Sequence, residues 1–284
     1  MSAITVSRPV GGGRRGGRVI VYTVLTALAV IWLVPLAWAV ATSLKPDAET
    51  TIAPVSWRAT TETFDAYRTL LQKGDILHWW FNSFITASLI TAGTVFTASL
   101  AGFGFSRVRF RGSGALQWLV LAGLLIPFQA LIVPLFVELS SVGLADSYWG
   151  IVLPQIASPI AVLVFKRAFD SVPAELEESA LVDGASLWLI YRRIWMPLSR
   201  STTAAVAIFT FVLAWNAFLW PFVITSAGNL FTVPVGLATV NASYGALYAQ
   251  VMALAVLGAV PLLVVFLLFQ RQIVQGIANT GLKG

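Results

Sequence analysis

A cluster of glutamates followed by a glycine is the part of the chain whose residue types most clearly suggest a specific interaction. Glu175, Glu177 and Glu178 closely follow Pro173, and Gly184 lies six residues after the last glutamate. Proline is tolerated in the first turn of a helix, acidic residues favour the positive end of the helix dipole, and glycine favours a helix stop. The spacing predicts a short helix with carboxylates at its start, where they can pair with a basic residue of another protein.

A second short helix is predicted directly after the glycine. Ser186 is a suitable N-cap for the apolar residues 187–191, and Arg192 and Arg193 fall in the last turn, where cations are favoured. Pro197 then ends the helix, because it has no backbone N–H to donate. The expected product is a helix, a glycine turn and a helix. Taken alone, the same pattern also fits an ordinary well-capped hairpin with no partner.

The residue types that most catalytic chemistry needs are absent. The sequence has no cysteine, which excludes disulfides, thiol catalysis and thiolate metal sites. The one histidine, His78, cannot form a metal site alone, and the two tryptophans after it are typical of an aromatic belt at a membrane surface. No lysine stands in a nucleotide-binding loop ending in Gly-Lys-Ser or Gly-Lys-Thr. We therefore predict no catalytic residue, no metal site and no cofactor in this chain.

The elements that position these residues must lie in lipid. Hydrophobic residues make up 58% of the 284 residues and charged residues 11%, with a mean hydropathy of +0.83, which leaves too little polar surface for a water-soluble protein. Uncharged stretches of about bilayer-spanning length are residues 19–44, 79–106, 115–137 and 147–165. Residues 201–270 are also uncharged, and the turn-rich stretch 226–245 divides them into two spans. We predict an all-α, polytopic membrane protein of about six transmembrane helices.

The distribution of cations predicts the orientation. Of the 18 Lys and Arg residues, only Lys45, Arg58, Arg68 and Lys73 lie outside if both termini are cytoplasmic, as the positive-inside rule favours. Cations spread over short connections also argue against a nucleic-acid partner. The predicted regions are a basic cytoplasmic tail (1–18), a first transmembrane helix (19–44), an extracytoplasmic loop (45–78), a five-helix core (79–272) containing a cytoplasmic loop (166–200), and a cytoplasmic tail (273–284).

The loop 166–200 resembles a motif of a known transporter family. Permeases of binding-protein-dependent ABC importers carry an "EAA loop", in which Glu-Ala-Ala is followed at fixed distances by a glycine and by Ile-x-Leu-Pro. Ser179 here replaces the first alanine and Met196 replaces the leucine, and both are small changes of volume. The matching positions are Glu178, Ser179, Ala180, Asp183, Gly184, Ala185, Ile194, Met196 and Pro197.

The resemblance extends over nearly the whole chain and is strongest to the smaller permease of maltose-type carbohydrate importers. Further similar stretches are Thr42-Ser43-Leu44-Lys45-Pro46, Asn82-Ser83, Gly102-Phe103-Gly104-Phe105-Ser106-Arg107, Trp215-Asn216 and Gly281-Leu282-Lys283-Gly284. The resemblance implies the type I importer permease fold, also called MetI-like. It also implies import of a mono-, di- or oligosaccharide through the cell membrane.

The same resemblance implies a set of partners. They are a second homologous permease, a dimeric ATPase that binds ATP and Mg²⁺, and an extracytoplasmic sugar-binding protein. This chain would form half of the pathway in the lipid bilayer and would not itself be an enzyme. The residues expected to couple it to the ATPase are Glu177, Glu178, Ser179, Ala180, Asp183, Gly184, Ala185, Ile194 and Pro197.

The uncharged spans favour a neutral cargo, because aromatic rings and amide groups can hold a sugar without a buried ion. Candidate pathway residues are Trp215, Asn216, Trp220 and Asn241, although tryptophan in a membrane helix is more often a packing residue. The stretch 226–245 is expected to be an outer loop that faces the binding protein. An ion-coupled secondary transporter is the alternative, but such proteins usually carry carboxylates or basic residues at mid-membrane, and none of the predicted spans does.

Overall fold

The structure is a computed structural model that describes residues 14–51, 56–73, 75–243 and 247–281. Every regular element within these ranges is helical, which confirms the all-α prediction. The described chain divides into two compact units. The first comprises the residues up to Tyr67 together with Tyr248–Val256, and the second comprises Arg68–Leu247 and the residues from Leu257 onward.

Fifteen α-helices occur in the described ranges, together with two 3₁₀ turns and one π-helical turn. The α-helices are α1 (Arg14–Ser43), α2 (Asp47–Thr50), α3 (Asp65–Lys73), α4 (Asp75–Arg107), α5 (Ser113–Ala122), α6 (Phe128–Ser141), α7 (Tyr148–Ile156), α8 (Pro159–Asp170), α9 (Glu175–Val182), α10 (Leu187–Ile190), α11 (Met196–Leu198), α12 (Arg200–Trp215), α13 (Leu219–Ile224), α14 (Val233–Ser243) and α15 (Tyr248–Gly281). The 3₁₀ turns are Gly123–Leu125 and Gly228–Leu230, and the π turn is Tyr191–Trp195.

Three described helices are long and apolar enough to cross a membrane by length and composition. They include Gly17–Ser43, Asp75–Arg107 and Tyr248–Gln270. Three bent helix pairs raise the total to six if each pair is one span: Ser113–Leu125 with Phe128–Ser141, Tyr148–Ile156 with Pro159–Asp170, and Leu187–Leu198 with Arg200–Trp215. The bends measure 100°, 48° and 79° respectively. The prediction of about six spans agrees with the upper count.

The predicted spans 115–137 and 147–165 are broken rather than continuous, as is the predicted span that begins at 201, in which α12 ends at Trp215 and α13 begins at Leu219. The predicted helix 115–137 breaks at Ile126, which has the extended conformation (φ −90°, ψ 111°) that a following proline imposes. The predicted helix 147–165 breaks at Ala157 and Ser158, and the Ser158 hydroxyl then accepts the N–H of Ala161 to cap α8. Continuous hydropathy therefore hid these breaks, because none of them introduces a charged residue.

The predicted boundaries also differ from the observed helix ends. α1 begins at Arg14 and includes part of the predicted tail, α4 begins at Asp75 rather than at 79, and α15 continues to Gly281. Asp75 is a favourable first-turn residue because its charge complements the helix dipole. The stretch 226–245 is not a plain loop, since residues 233–243 form α14. The turn-forming residues predict a loop there, but Pro234 lies in the first turn of α14, where proline is tolerated.

In the first unit, a buried lysine organises the residues after α1. Lys45 donates from Nζ to the carbonyl oxygen of Ser56, and its ammonium lies 5.2 Å from the centroid of the Trp38 ring. Asp47 accepts the backbone N–H of Ala249 at 3.0 Å and so caps the start of α15. The resembled stretch 42–46 is therefore a structural anchor in this unit.

In the second unit, α4 is the central helix and packs against α7, α8, α12 and α14. Phe103 of α4, Phe165 and Phe169 of α8, and Trp195 of the π turn share one buried core cluster. The rings of Phe169 and Trp195 meet edge to face, with centroids 6.0 Å apart. The end of α4 is thus packed directly against the segment that carries the glutamate cluster.

The close approach of α4 and α8 depends on a glycine. A Cβ atom at Gly102 would lie 2.7 Å from Cβ of Phe165 and 2.9 Å from the backbone N of Lys166, which is too close for either backbone to accommodate. Two residues further along the same helix a side chain would fit, since a Cβ at Gly104 meets nothing within 4 Å. Gly102 therefore sets the separation of the two helices.

We expect Gly102→Ala to destabilise the protein by about 1–3 kcal/mol, because overpacking outweighs the gain in helix propensity. Gly104→Ala is the matched control, and it should be neutral or stabilising by about 0.5–1 kcal/mol. The thermal unfolding midpoints of both variants in detergent test this. Equal midpoints for the two variants would contradict the assignment of Gly102 as the contact that sets the helix separation.

Candidate functional site

The glutamate cluster and its glycine form a helical hairpin, which we define as residues 175–198. Gly184 has a φ of +79°, a conformation that favours glycine, and its N–H bonds to the Leu181 carbonyl at 3.0 Å. The N–H of Ala185 bonds to the Ala180 carbonyl at 2.9 Å, which completes a Schellman motif at the end of α9. Ala180 and Ala185 both pack on the buried core cluster. The spacing of Ala180 and Ala185 on either side of Gly184 is thus explained by the Schellman motif and by the packing of both side chains on the core cluster.

The second half of the hairpin begins as predicted and ends in a distorted turn. The Ser186 hydroxyl accepts the N–H of Leu189 at 3.3 Å, which confirms the predicted N-cap. α10 then widens into the π turn Tyr191–Trp195, and Pro197 lies in α11, just before the 79° bend into α12. Ile194 packs against the buried core cluster. The hairpin therefore shares residues 187–198 with the third bent pair, and α12 continues from its far end.

One face of the hairpin is exposed and apolar. Leu181, Val182, Leu187 and Trp188 are exposed, and Val182 reaches 87% exposure. Glu178 is also exposed beside them. Exposed apolar groups with a neighbouring charge are typical of a surface that another protein covers. Gly184 and Asp183 lie at the tip of this face.

The opposite face is fixed to the end of α4 by Arg107. Its Nη2 donates to the carbonyl oxygens of Phe169 and Val172, with 2.7 Å to Val172. Its guanidinium lies over the Trp195 ring, 4.1 Å from the centroid, and Nε is 3.9 Å from the carboxylate of Glu177. No sequence pattern predicts a role for Arg107, although it ends one of the resembled stretches. Only the folded structure shows that the two neighbouring glutamates face different ways.

The structure brings all nine predicted coupling residues into this hairpin but does not gather the predicted pathway residues. Trp215 is 3% exposed and its Nε1 donates to the Gly258 carbonyl, and Trp220 is 2% exposed and donates to the Gly150 carbonyl. Asn216 is exposed and its amide bonds within its own helix. The side chain of Asn241 lies outside the described residues. In this conformation, both indole N–H groups therefore donate to backbone carbonyl groups of the chain itself.

The segment 226–232, which precedes α14, is held at both ends. The Asn82 amide donates to the carbonyl oxygens of Asn229 and Phe231 at 2.8 and 2.9 Å, and it accepts the hydroxyl of Tyr148 at 2.6 Å. The Ser83 hydroxyl accepts the N–H of Val233 at 2.8 Å. The resembled pair Asn82-Ser83 thus fixes this segment to the start of α4.

Asp146 holds the other end of the segment. Its carboxylate accepts the hydroxyl of Ser226 at 2.6 Å and the backbone N–H groups of Ser226 and Ala227 at 2.5 and 3.0 Å. The pKa of Asp146 lies below its ordinary value, mainly because of the hydrogen bond from the Ser226 hydroxyl. The two backbone N–H groups lower it further. Asp146 itself has a φ of +51°, which aspartate tolerates better than most residues.

We expect Asp146→Asn to raise amide hydrogen exchange in the segment 226–232 by about three- to tenfold at neutral pH, because the charge-assisted bonds of an exposed carboxylate are lost. The lowered pKa means that the native carboxylate stabilises the segment at neutral pH. That stabilisation should disappear as the pH falls below the ordinary carboxyl pKa of about 3.9 and through the lowered value. Asp183→Asn, which alters a distant carboxylate, is the control and should leave this exchange unchanged.

No group of three or more His, Asp or Glu residues in the described ranges is placed to hold a metal ion. The described residues instead offer two surfaces that another protein could contact. They are the exposed hairpin face and the clamped segment 226–232.

Comparison with known proteins agrees with the family suggested by the hairpin motif. Residues 94–279 match the family described as binding-protein-dependent transport system inner membrane component. The arabinooligosaccharides transport system permease protein AraQ of Bacillus subtilis (strain 168) is 32% identical over 260 residues, which cover 90% of this chain and 92% of AraQ. The lactose transport system permease protein LacG of Rhizobium radiobacter is 32% identical over 267 residues, covering 94% of this chain and 97% of LacG.

A solved structure supports the fold. One chain of a bacterial ABC transporter involved in the import of the acidic polysaccharide alginate superposes with a TM-score of 0.78 and 20% sequence identity, covering 93% of this chain and 99% of that one. The predicted permease fold is thereby confirmed. With the family match over most of its length, the chain belongs to the binding-protein-dependent transport system inner membrane components, the permease subunits of ABC importers.

Proposed function

We propose that this chain forms half of the translocation pathway of an ATP-driven importer for mono-, di- or oligosaccharides, and that the hairpin 175–198 is its joint to a separate ATPase. The observation that carries the proposal is the two-sided hairpin. Its outer face exposes Val182, Trp188 and Glu178, while its inner face is fixed to the core of the second unit. A rigid element of this kind passes on movement and does no chemistry itself.

The exposed face suits a cleft in a soluble protein. Leu181, Val182 and Trp188 supply apolar contact area, and Glu178 supplies a carboxylate for a basic residue of the partner. ATP and Mg²⁺ would be bound by that partner, an ATPase dimer. The hairpin, and with it both termini, would lie in the cytoplasm, consistent with the excess of Lys and Arg on that side.

The described contacts suggest how movement would spread from the hairpin. α11 and α12 follow the π turn directly, and α12 packs against both α4 and α8. Closure of the ATPase dimer would therefore displace these helices as a body and open the cavity shared with a second, homologous permease toward the outside. An extracytoplasmic binding protein would deliver the sugar, with the segment 226–232 as its docking surface.

The sugar class is inferred from two features. AraQ and LacG, which this chain resembles over 90% and 94% of its length, are named for arabinooligosaccharides and lactose. The uncharged stretches 19–44, 79–106, 115–137, 147–165 and 201–270 contain no Asp, Glu, Lys or Arg, as a neutral cargo allows. Hydroxyl, amide and aromatic groups suffice to hold such a cargo.

Purification and reconstitution test this proposal. We expect a nucleotide-hydrolysing subunit and a second permease to co-purify with the tagged chain. In proteoliposomes, labelled oligosaccharide should accumulate only when ATP and the loaded binding protein are both present. Accumulation driven by a proton or sodium gradient without ATP would instead favour the ion-coupled alternative.

We expect Gly184→Val to reduce sugar uptake per ATP hydrolysed by about tenfold or more, because a β-branched residue at a positive φ costs at least about 1–2 kcal/mol and would distort the turn. Steric clash is not the cause, since a Cβ at Gly184 meets nothing within 4 Å. Uptake and ATP hydrolysis are measured on the same reconstituted complex.

Gly112→Val is the matched control for this change. Gly112 also has a positive φ, +86°, and open space around its Cβ position, but it lies outside the hairpin. The control should lose a similar amount of stability and keep its uptake per ATP. Equal uptake per ATP in the two variants would remove the hairpin turn from the coupling mechanism.

A further inference from the structure

Arg107, the last residue of α4, contacts several segments next to the hairpin. Its guanidinium bonds to the carbonyl oxygens of Phe169, in α8, and Val172, in the connection before α9. It also stacks on Trp195 in the π turn and faces Glu177 in the first turn of α9. A single side chain at the end of α4 therefore contacts α8, the connection before α9, the first turn of α9 and the π turn.

These contacts require an arginine. The side chains of Arg107 and Glu177 are each only 13% exposed, and charges so enclosed are costly unless they are paired. A planar guanidinium can lie flat on an indole ring while its edge donates to two carbonyl oxygens, whereas a lysine ammonium cannot do both. The pairing is thus built for one geometry of the hairpin against α4.

One hydrogen bond of this set is incomplete. Nε of Arg107 is buried without a hydrogen-bond acceptor, and the Glu177 carboxylate stands 3.9 Å away. A movement of α9 by about 1 Å toward α4 would bring the two atoms within the 2.7–2.9 Å of a charge-assisted hydrogen bond. Such a movement would add one strong bond, which is the kind of differential contact that a conformational switch needs.

We propose that Arg107 is the positioning residue that makes α9 and α4 move as one body, with Glu177 as its switchable partner. The inference rests on the proposed function, because the hairpin must be driven by an ATPase. It divides the two adjacent glutamates between two tasks. Glu178 faces outward to the ATPase, and Glu177 faces inward to Arg107. α4 packs against α7, α8 and α12, so movement passed through Arg107 reaches the centre of the second unit.

The test uses the complex purified with its partner permease and ATPase, reconstituted in liposomes. For Arg107→Ala and for Glu177→Gln, we expect normal recovery of the ATPase subunits and continued ATP hydrolysis, but about tenfold less sugar uptake per ATP. The double variant should be no worse than Arg107→Ala alone, because both changes remove the same contact. Glu178→Gln should differ by lowering recovery of the ATPase subunits.

Arg109→Ala is the matched control, since Arg109 is an exposed arginine two residues further along the chain. It should leave recovery, hydrolysis and uptake per ATP at native levels. The inference is overturned if Arg107→Ala or Glu177→Gln transports as efficiently per ATP as Arg109→Ala. If Arg107→Ala does not assemble, Glu177→Gln alone decides, because it keeps the size of the side chain and removes only its charge. Absence of any ATPase from the native complex would instead count against the proposed function.

The chain has no cysteine, so a spin-label pair can follow the same movement directly. Labels at Glu175→Cys and Phe96→Cys, both exposed positions on α9 and α4 that lie outside the proposed ATPase contact, report the distance between the two helices in a complex with cysteine-free partners. In the complex that keeps Arg107, ATP should leave the distribution of label-to-label distances nearly unchanged. In Arg107→Ala it should shift or broaden by several ångströms. Identical responses of the two complexes to ATP would overturn the inference.

Discussion

The approach of α4 to α8 at Gly102 is the contact on which the second unit depends. Without a Cβ atom there, the backbone of α8 comes close enough for Phe165, Phe169 and Phe103 to share one buried cluster. That cluster in turn receives Ala180 and Ala185, the two small residues of the Schellman motif. The geometry of the hairpin is therefore an extension of helix packing in the membrane-spanning part, and the exposed face is presented by a rigid base.

Lipid imposes a second constraint, because every backbone polar group in a span must find a partner within the protein. The break in the second bent pair satisfies this requirement locally. The Thr94 hydroxyl donates to the carbonyl oxygen of Ile156 at the end of α7, and Ser158 caps the start of α8. Before α14, Asn82 does the same for the carbonyl oxygens of Asn229 and Phe231, and Asp146 does so for the N–H groups of residues 226 and 227. Polar side chains thus appear where helices stop.

Much of this architecture could be predicted from the sequence. Hydropathy and turn residues were sufficient for the class, the span count and the hairpin, since each depends on local composition. The broken spans at Ile126 and Ala157 were missed because a break in an uncharged helix changes no charge pattern. The inward direction of Glu177 could not be predicted either, because it depends on Arg107, which is seventy positions earlier in the chain. The tryptophans of α12 and α13 are buried, and their indole N–H groups donate to carbonyl groups that are distant in the sequence. Sequence alone does not predict these contacts.

The π turn Tyr191–Trp195 has a consequence for the register of everything after it. A π turn holds one residue more than the α-helical turn it replaces, so it is equivalent to a single-residue insertion. Each residue of an α-helix accounts for about 100° of rotation. Deleting one residue between Tyr191 and Trp195 would therefore restore an α-helix and rotate the path into α12 by about a quarter of a revolution. The face that Ile194 and Trp195 now turn to Phe169 would point elsewhere, so tolerated length changes in this loop should avoid these five positions.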